Sequence, residues 1–146
     1  MLTNLLIGLP VMATCLLLQS LLFVSAVRFY QQRQGAHSGH SFWSTLAVVT
    51  GVMLILVLGN LAQIAIWGAL FRLLGEFETL TEAVYHSAVN FATLGYGDIV
   101  MSPPRRILGP LEAINGALMI GVSTAALTAA FQDILRRAMA AKQGQG

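Results

Sequence analysis

Apolar residues gather in three long runs, separated by stretches where polar residues return. The runs are "NLLIGLPVMATCLLLQSLLFVSAV" over roughly 4–27, "TLAVVTGVMLILVLGNLAQIAIWGAL" over roughly 45–70 and "ILGPLEAINGALMIGVSTAALTAAF" over roughly 107–131. About 20 apolar residues in a helix cross a bilayer core, so each run predicts a membrane-spanning helix. The first run has no basic residues ahead of it, exceeds the usual length of a signal-peptide core and lacks a clear small-x-small cleavage site, so it reads as a retained helix. Pro10 inside it predicts a kink or a break, since proline removes a backbone donor. Trp43 and Trp67 stand at the two ends of the second run, about 36 Å apart along a helix, the separation of the two aromatic belts of a membrane.

Between the second and third runs the pattern changes. Residues 71–106 are too polar to span, yet "LTEAVYHSAVNFA" over 80–92 reads as a short helix. Thr79 and Glu82 have the spacing of a capping box, and Glu76 and Glu78 add negative charge near the positive end of that helix. From Thr79 to Ala92 the helix is about 20 Å long, enough to dip halfway into the bilayer. The chain must then return through "TLGYGDIVMSPP". Irregular backbone is tolerated at membrane depth only where protein buries it or it lines a water-filled path. A half-helix followed by a glycine-rich return therefore predicts a re-entrant pore loop. Gly95 and Gly97, alternating with other residues, allow successive carbonyls to face one way, and rows of carbonyl oxygens replace the hydration shell of a cation.

Composition agrees. Of the 146 residues 56% are hydrophobic and only 10% charged, against about a quarter in a soluble domain, so the chain belongs in a lipid bilayer. The net charge of +2 comes from scattered residues, which argues against a nucleic-acid partner. Arg28, Arg33, Arg136, Arg137 and Lys142 outnumber Arg72, Arg105 and Arg106, which places the 28–43 loop and the C-terminus in the cytoplasm and the N-terminus outside. Cys15 is the single cysteine and cannot form a bridge within one chain. No constellation of nucleophile, base or metal ligands appears, so an enzyme is not expected.

The hexapeptide "TLGYGD" at 93–98, preceded by a short helix and flanked by two spans, resembles the selectivity filter of potassium channels, whose common form is T-V-G-Y-G-D. The resemblance covers roughly residues 45–131, and the extra first helix is similar to that of some small bacterial members. It implies an all-α membrane protein of three transmembrane helices plus a re-entrant pore helix and filter loop, assembled as a four-fold homotetramer. The expected layout is an N-terminal helix (1–28), a cytoplasmic loop (29–43), a pore domain (44–132) and a short cytoplasmic tail (133–146). Within the pore domain the outer helix is 45–70, the pore helix 79–92, the filter 93–98 and the inner helix 107–131.

Carried across by position, the carbonyls of Thr93, Leu94, Gly95 and Tyr96, with the Thr93 hydroxyl, coordinate K⁺, which is the permeant ion; no other cofactor is expected. Gly97 allows the outer turn, Asp98 anchors the outer mouth, and Tyr96 points away from the pore and packs on the pore helix. Several positions depart from the family form. Leu94 replaces a valine, Ala92 a frequent second threonine, Val89 a glutamate found in some members, and Tyr85 and His86 frequent tryptophans; Tyr85 is expected to donate to Asp98. By the same resemblance Gly116 or Gly121 is the gating hinge, with close packing without hinging as the alternative, and Thr124 and Thr128 face the central cavity.

Other polar residues carry two readings each. His86 either senses protons near the outer mouth or is packed and hydrogen-bonded, and His37 and His40 either bind a metal or sense cytoplasmic pH, or are merely solvated. Glu112 must face protein or water, as a brace behind the filter or tuner of the outer mouth, or as a surface residue paired with an arginine. Asn60 and Gln63 share a helical face and bond to neighbouring helices, Asn115 is a candidate for the cavity, and Gly121, Ala125 and Ala129 form a close-packing ridge. The function expected is a K⁺-selective channel in the plasma membrane, with lipid and monovalent cations as its other partners. The alternatives are a weakly selective cation channel, on the evidence of Leu94, and a non-conducting membrane scaffold.

Overall fold

Four helices account for the regular structure in a computed structural model that describes residues 1–35 and 42–143: α1 (Leu2–Gly35), α2 (Phe42–Leu73), α3 (Leu80–Phe91) and α4 (Leu108–Gln143). His37 and His40 lie outside the described residues. Leu2–Arg33, Trp43–Leu73 and Leu108–Arg136 are long and apolar enough to cross a bilayer, and the chain is a multi-pass all-α membrane protein.

Three side-chain bonds set the arrangement of the long helices. Asn4 Nδ2 donates to Pro104 O at 2.6 Å, Gln19 Nε2 to Ser123 Oγ at 3.2 Å and Tyr30 Oη to Asp133 Oδ2 at 2.8 Å. α1 and α4 thus run side by side in the same direction. α2 runs against α1, with Gly59 facing Leu22 and Gly51 facing Phe29. The start of α1, the end of α2, all of α3 and the start of α4 share one end of the molecule.

The long helices exceed the apolar runs. α1 continues to Gly35, so Arg28 and Arg33 sit on its last turns rather than in a loop, and Arg33 lies over the Phe29 ring at 5.6 Å. α4 continues to Gln143, where a tail from 133 was expected, because "DILRRAMAAKQ" consists largely of good helix formers that need no membrane to stay helical. Pro10 does not break α1, which runs through it; the Thr14 hydroxyl bonds back to the Pro10 carbonyl at 2.9 Å.

The buried core lies under the pore-loop end. Trp67, Phe71, Phe77, Ala83, Met101 and Leu108 pack there with Cys15 of α1. Trp67 is therefore no belt residue: it is fully buried, 5.8 Å from the Phe71 ring, while Trp43 is 74% exposed. Spacing along α2 matched a membrane thickness, but the face on which Trp67 falls points into the protein. A smaller cluster of Ala26, Val52 and Leu56 closes the other end.

Candidate functional site

The short helix α3 forms as its sequence predicts. Thr79 is its N-cap, and both halves of the capping box are made: Glu82 N donates to Thr79 Oγ1 at 3.2 Å, and Thr79 N to Glu82 Oε2 at 3.3 Å. Glu76 does not serve this helix end. Its carboxylate receives Ser102 N at 2.8 Å and Ser102 Oγ at 2.9 Å, and pairs with Arg105 at 3.3 Å. Arg105 also donates to the Leu74 carbonyl. The segment before α3 is thereby clasped to the segment after the glycine-rich return.

α2 and α3 end in the same way with different residues. At the end of α2, Gly75 N bonds Arg72 O and Glu76 N bonds Phe71 O, with Gly75 at φ 75. At the end of α3, Thr93 N bonds Asn90 O at 2.8 Å and Leu94 N bonds Val89 O at 2.9 Å, with Thr93 at φ 58. Both are Schellman caps, whose left-handed position ordinarily takes glycine. A β-branched residue there is a genuine outlier, worth roughly 1–3 kcal/mol of strain, of the kind that collects at functional sites. Gly95 and Gly97 follow at φ 59 and 72, while Leu94 and Tyr96 are not in that region. From Thr93 to Gly97 the backbone therefore changes hand at every residue. Alternation of this kind turns successive peptide groups the same way, where an extended strand would turn them alternately.

The return strand is tied to α3 at two points. Tyr85 Oη donates to Asp98 Oδ2 at 2.6 Å, the pairing expected from the sequence. That bond favours the charged carboxylate and the protonated phenol, holding the Asp98 carboxyl below its usual range and pushing the Tyr85 phenol up. His86 is packed and hydrogen-bonded. Asn90 Nδ2 lies 2.8 Å from its Nε2 and Ile99 O 3.0 Å from its Nδ1. Asn90 can only donate through that nitrogen, so Nε2 accepts and Nδ1–H donates to Ile99. Phe71 and Phe77 enclose the ring at 5.7 and 4.9 Å, and this burial pulls its pKa down.

Behind α3, Glu112 of α4 is fully buried and pairs with no arginine among the described residues. Its Oε1 meets Ser87 Oγ, which also lies 2.8 Å from Ile64 O of α2. One hydroxyl proton cannot serve both acceptors. Both contacts are made when the carboxyl supplies a second proton, donating to Ser87 while Ser87 donates to Ile64, and Glu112 Oε2 stays buried without a partner. Glu112 thus braces α3 against α4 and α2, whereas Val89 is buried without a polar role.

Not every expected contact is made within the single chain. Tyr96 is 66% exposed within one chain. Asn115 is fully buried and bonds Gln63 at 3.3 Å, which removes it from any open cavity. Gln63 bonds neighbouring helices, but Asn60 Oδ1 is buried without a partner. Gly121, Ala125 and Ala129 are exposed, and space beside Gly121 is open, so no ridge packs within the chain. Gly116, by contrast, is where α4 touches α3: a Cβ there would collide with the Phe91 carbonyl. Thr124 and Thr128 are exposed beside Gly121 and return their hydroxyls to Ile120 O and Thr124 O at 2.9 Å.

Ser87, Asn90, Ser102, Arg105, Gln19 and Ser123 were missed by sequence reasoning. Gln19, a polar residue inside an apolar run, was the one clear signal, since such residues in a span usually find a partner. A family model described as an ion channel matches residues 61–133, half of the chain, from within α2 to Asp133 of α4. No curated protein sequence and no solved structure matches the chain.

Proposed function

The protein belongs to this ion-channel family, and on that premise we propose that residues 93–98 form a K⁺-selective filter completed by four copies of the chain. The observation that carries the reading is the alternating hand of the backbone from Thr93 to Gly97. Such a backbone presents carbonyls of Thr93, Leu94, Gly95 and Tyr96 as a row, and rings of carbonyls replace the water around a dehydrated cation. Threonine at the strained α3 cap supports it further, because its hydroxyl adds an oxygen at the inner end of the row and glycine would not.

One loop supplies one wall, so closure requires cyclic repetition of the subunit. Exposed Tyr96 and the exposed face of Gly121, Thr124, Ala125 and Thr128 are the surfaces that a four-fold assembly covers. In that assembly Thr124 and Thr128 line the cavity. The C-terminal end of α3 carries the negative end of its helix dipole, which favours a cation beneath the filter. The end bearing the filter faces outside and the C-terminus lies in the cytoplasm of a plasma membrane, following the bias of basic residues.

The test is ion flux from liposomes holding the purified full chain, with K⁺ or Na⁺ as the only gradient. Flux of K⁺ but little Na⁺, lost in Gly95→Ala because alanine at φ 59 is strained, is the expected result. Equal flux of both ions leaves a weakly selective cation channel. Absence of flux for either ion contradicts conduction and favours a scaffold.

A further inference from the structure

The matched pore segment starts after α1, yet α1 is wired into its interior. Asn115 Nδ2 of α4 donates to Gln63 Oε1 of α2 at 3.3 Å, Gln63 Nε2 donates to Gln19 Oε1 of α1 at 2.8 Å, and Gln19 Nε2 donates to Ser123 Oγ of α4 at 3.2 Å. All four side chains are buried, at 9% exposure or less. The chain of donors leaves α4, crosses α2 and α1, and returns to α4 eight residues on, about 12 Å along its axis.

The stretch of α4 inside this closed circuit holds Gly116 and Gly121. Glycine is the weakest helix former after proline, and kinks gather at such positions. Gly116 is pinned under the Phe91 carbonyl, while nothing in its own chain packs on Gly121, so bending or twisting of α4 concentrates near Gly121. Any such motion carries Ser123 relative to Asn115 and must break or stretch the circuit.

We infer that Gln19 is a positioning residue of the pore: it straps α4 across its compliant stretch, so that α1 sets the balance between open and closed states. The inference rests on the channel reading above. It gives the first helix a task inside the permeation unit rather than a place beside it. Loss of one buried interhelical hydrogen bond in a membrane changes an equilibrium by about threefold, and the effect multiplies when several subunits move together.

The experiment pairs Gln19→Leu and Ser123→Ala in the full chain with two readouts. Leucine is at home in a bilayer, so the variant remains folded. Amide hydrogen exchange on residues 116–124 tests the strap without any need for current, and single-channel recording in K⁺ tests what it controls. Expected are faster exchange in that stretch and an open-to-closed ratio shifted at least threefold, in the same direction for both variants, at unchanged unitary conductance. The double variant shifts it no further than Gln19→Leu alone. Unchanged exchange overturns the strap. Faster exchange with unchanged open and closed times overturns its control of gating. Absence of any current from the unaltered protein sinks the channel reading and the gating role with it, while exchange still decides the strap.

Discussion

Thr93 sits at φ 58 in a cap whose counterpart at the end of α2 uses Gly75, so one chain shows both the unstrained and the strained solution to the same turn. Thr93→Gly relieves the strain but loosens the unfolded chain, for a net gain of about 0–2.5 kcal/mol in stability by thermal unfolding in detergent. Flux of K⁺ falls in the same variant. A stability loss, or full flux, would contradict a functional reason for the threonine. His86 gives a second residue-level expectation. Its folded pKa lies below the ordinary value of 6.5 because burial disfavours the imidazolium, and protonation also removes the acceptor that Asn90 uses. Stability from the neutral ring is complete above the unfolded pKa and is lost as pH falls through the folded one. The melting temperature should thus hold from pH 8 to about 6.5 and then decline, and His86→Gln should flatten that decline. Parallel curves for the two proteins would exclude His86 as the cause.

At the scale of elements, α3 is held in place by polar contacts on three sides: Tyr85 and His86 toward the return strand, Thr79 and Glu82 at its start, and Ser87 toward α2 and α4. Sequence spacing revealed the start of this helix, since a capping box is local. The Ser87–Glu112 brace joins residues 25 apart and carries no such spacing signal. Glutamine at 112 keeps a neutral donor of the same shape, so Glu112→Gln should conduct K⁺ within about twofold of the unaltered protein. Ser87→Ala strips Glu112 of this partner inside the membrane and should cost about 1–3 kcal/mol of stability. Marked loss of flux in Glu112→Gln would mean that the brace works as a charged group instead.

For the whole molecule, most of the surface of each long helix is uncovered within one chain, as a surface facing lipid requires. If four filter loops close a K⁺ site as proposed, the ion stabilises the assembly by mass action, about 2.7 kcal/mol at a hundredfold excess over its dissociation constant. The tetramer seen by native mass spectrometry should accordingly resist heating in K⁺ more than in Na⁺, and Tyr96→Ala should remove the difference. Equal resistance in both salts counts against a K⁺ site between subunits. Three span-length helices, the short capped helix and the glycine-rich return were legible in the chain itself, because bilayer thickness, capping chemistry and the freedom of glycine act over a few neighbouring residues. Helix ends were not, since each apolar run stops while α1 and α4 continue past it. Neither was the buried face of Trp67, the seat of His86 or the circuit from Asn115 through Gln63 and Gln19 to Ser123. Those depend on which faces of distant helices meet, and in a uniformly apolar span no periodic pattern marks the face that packs on protein rather than lipid.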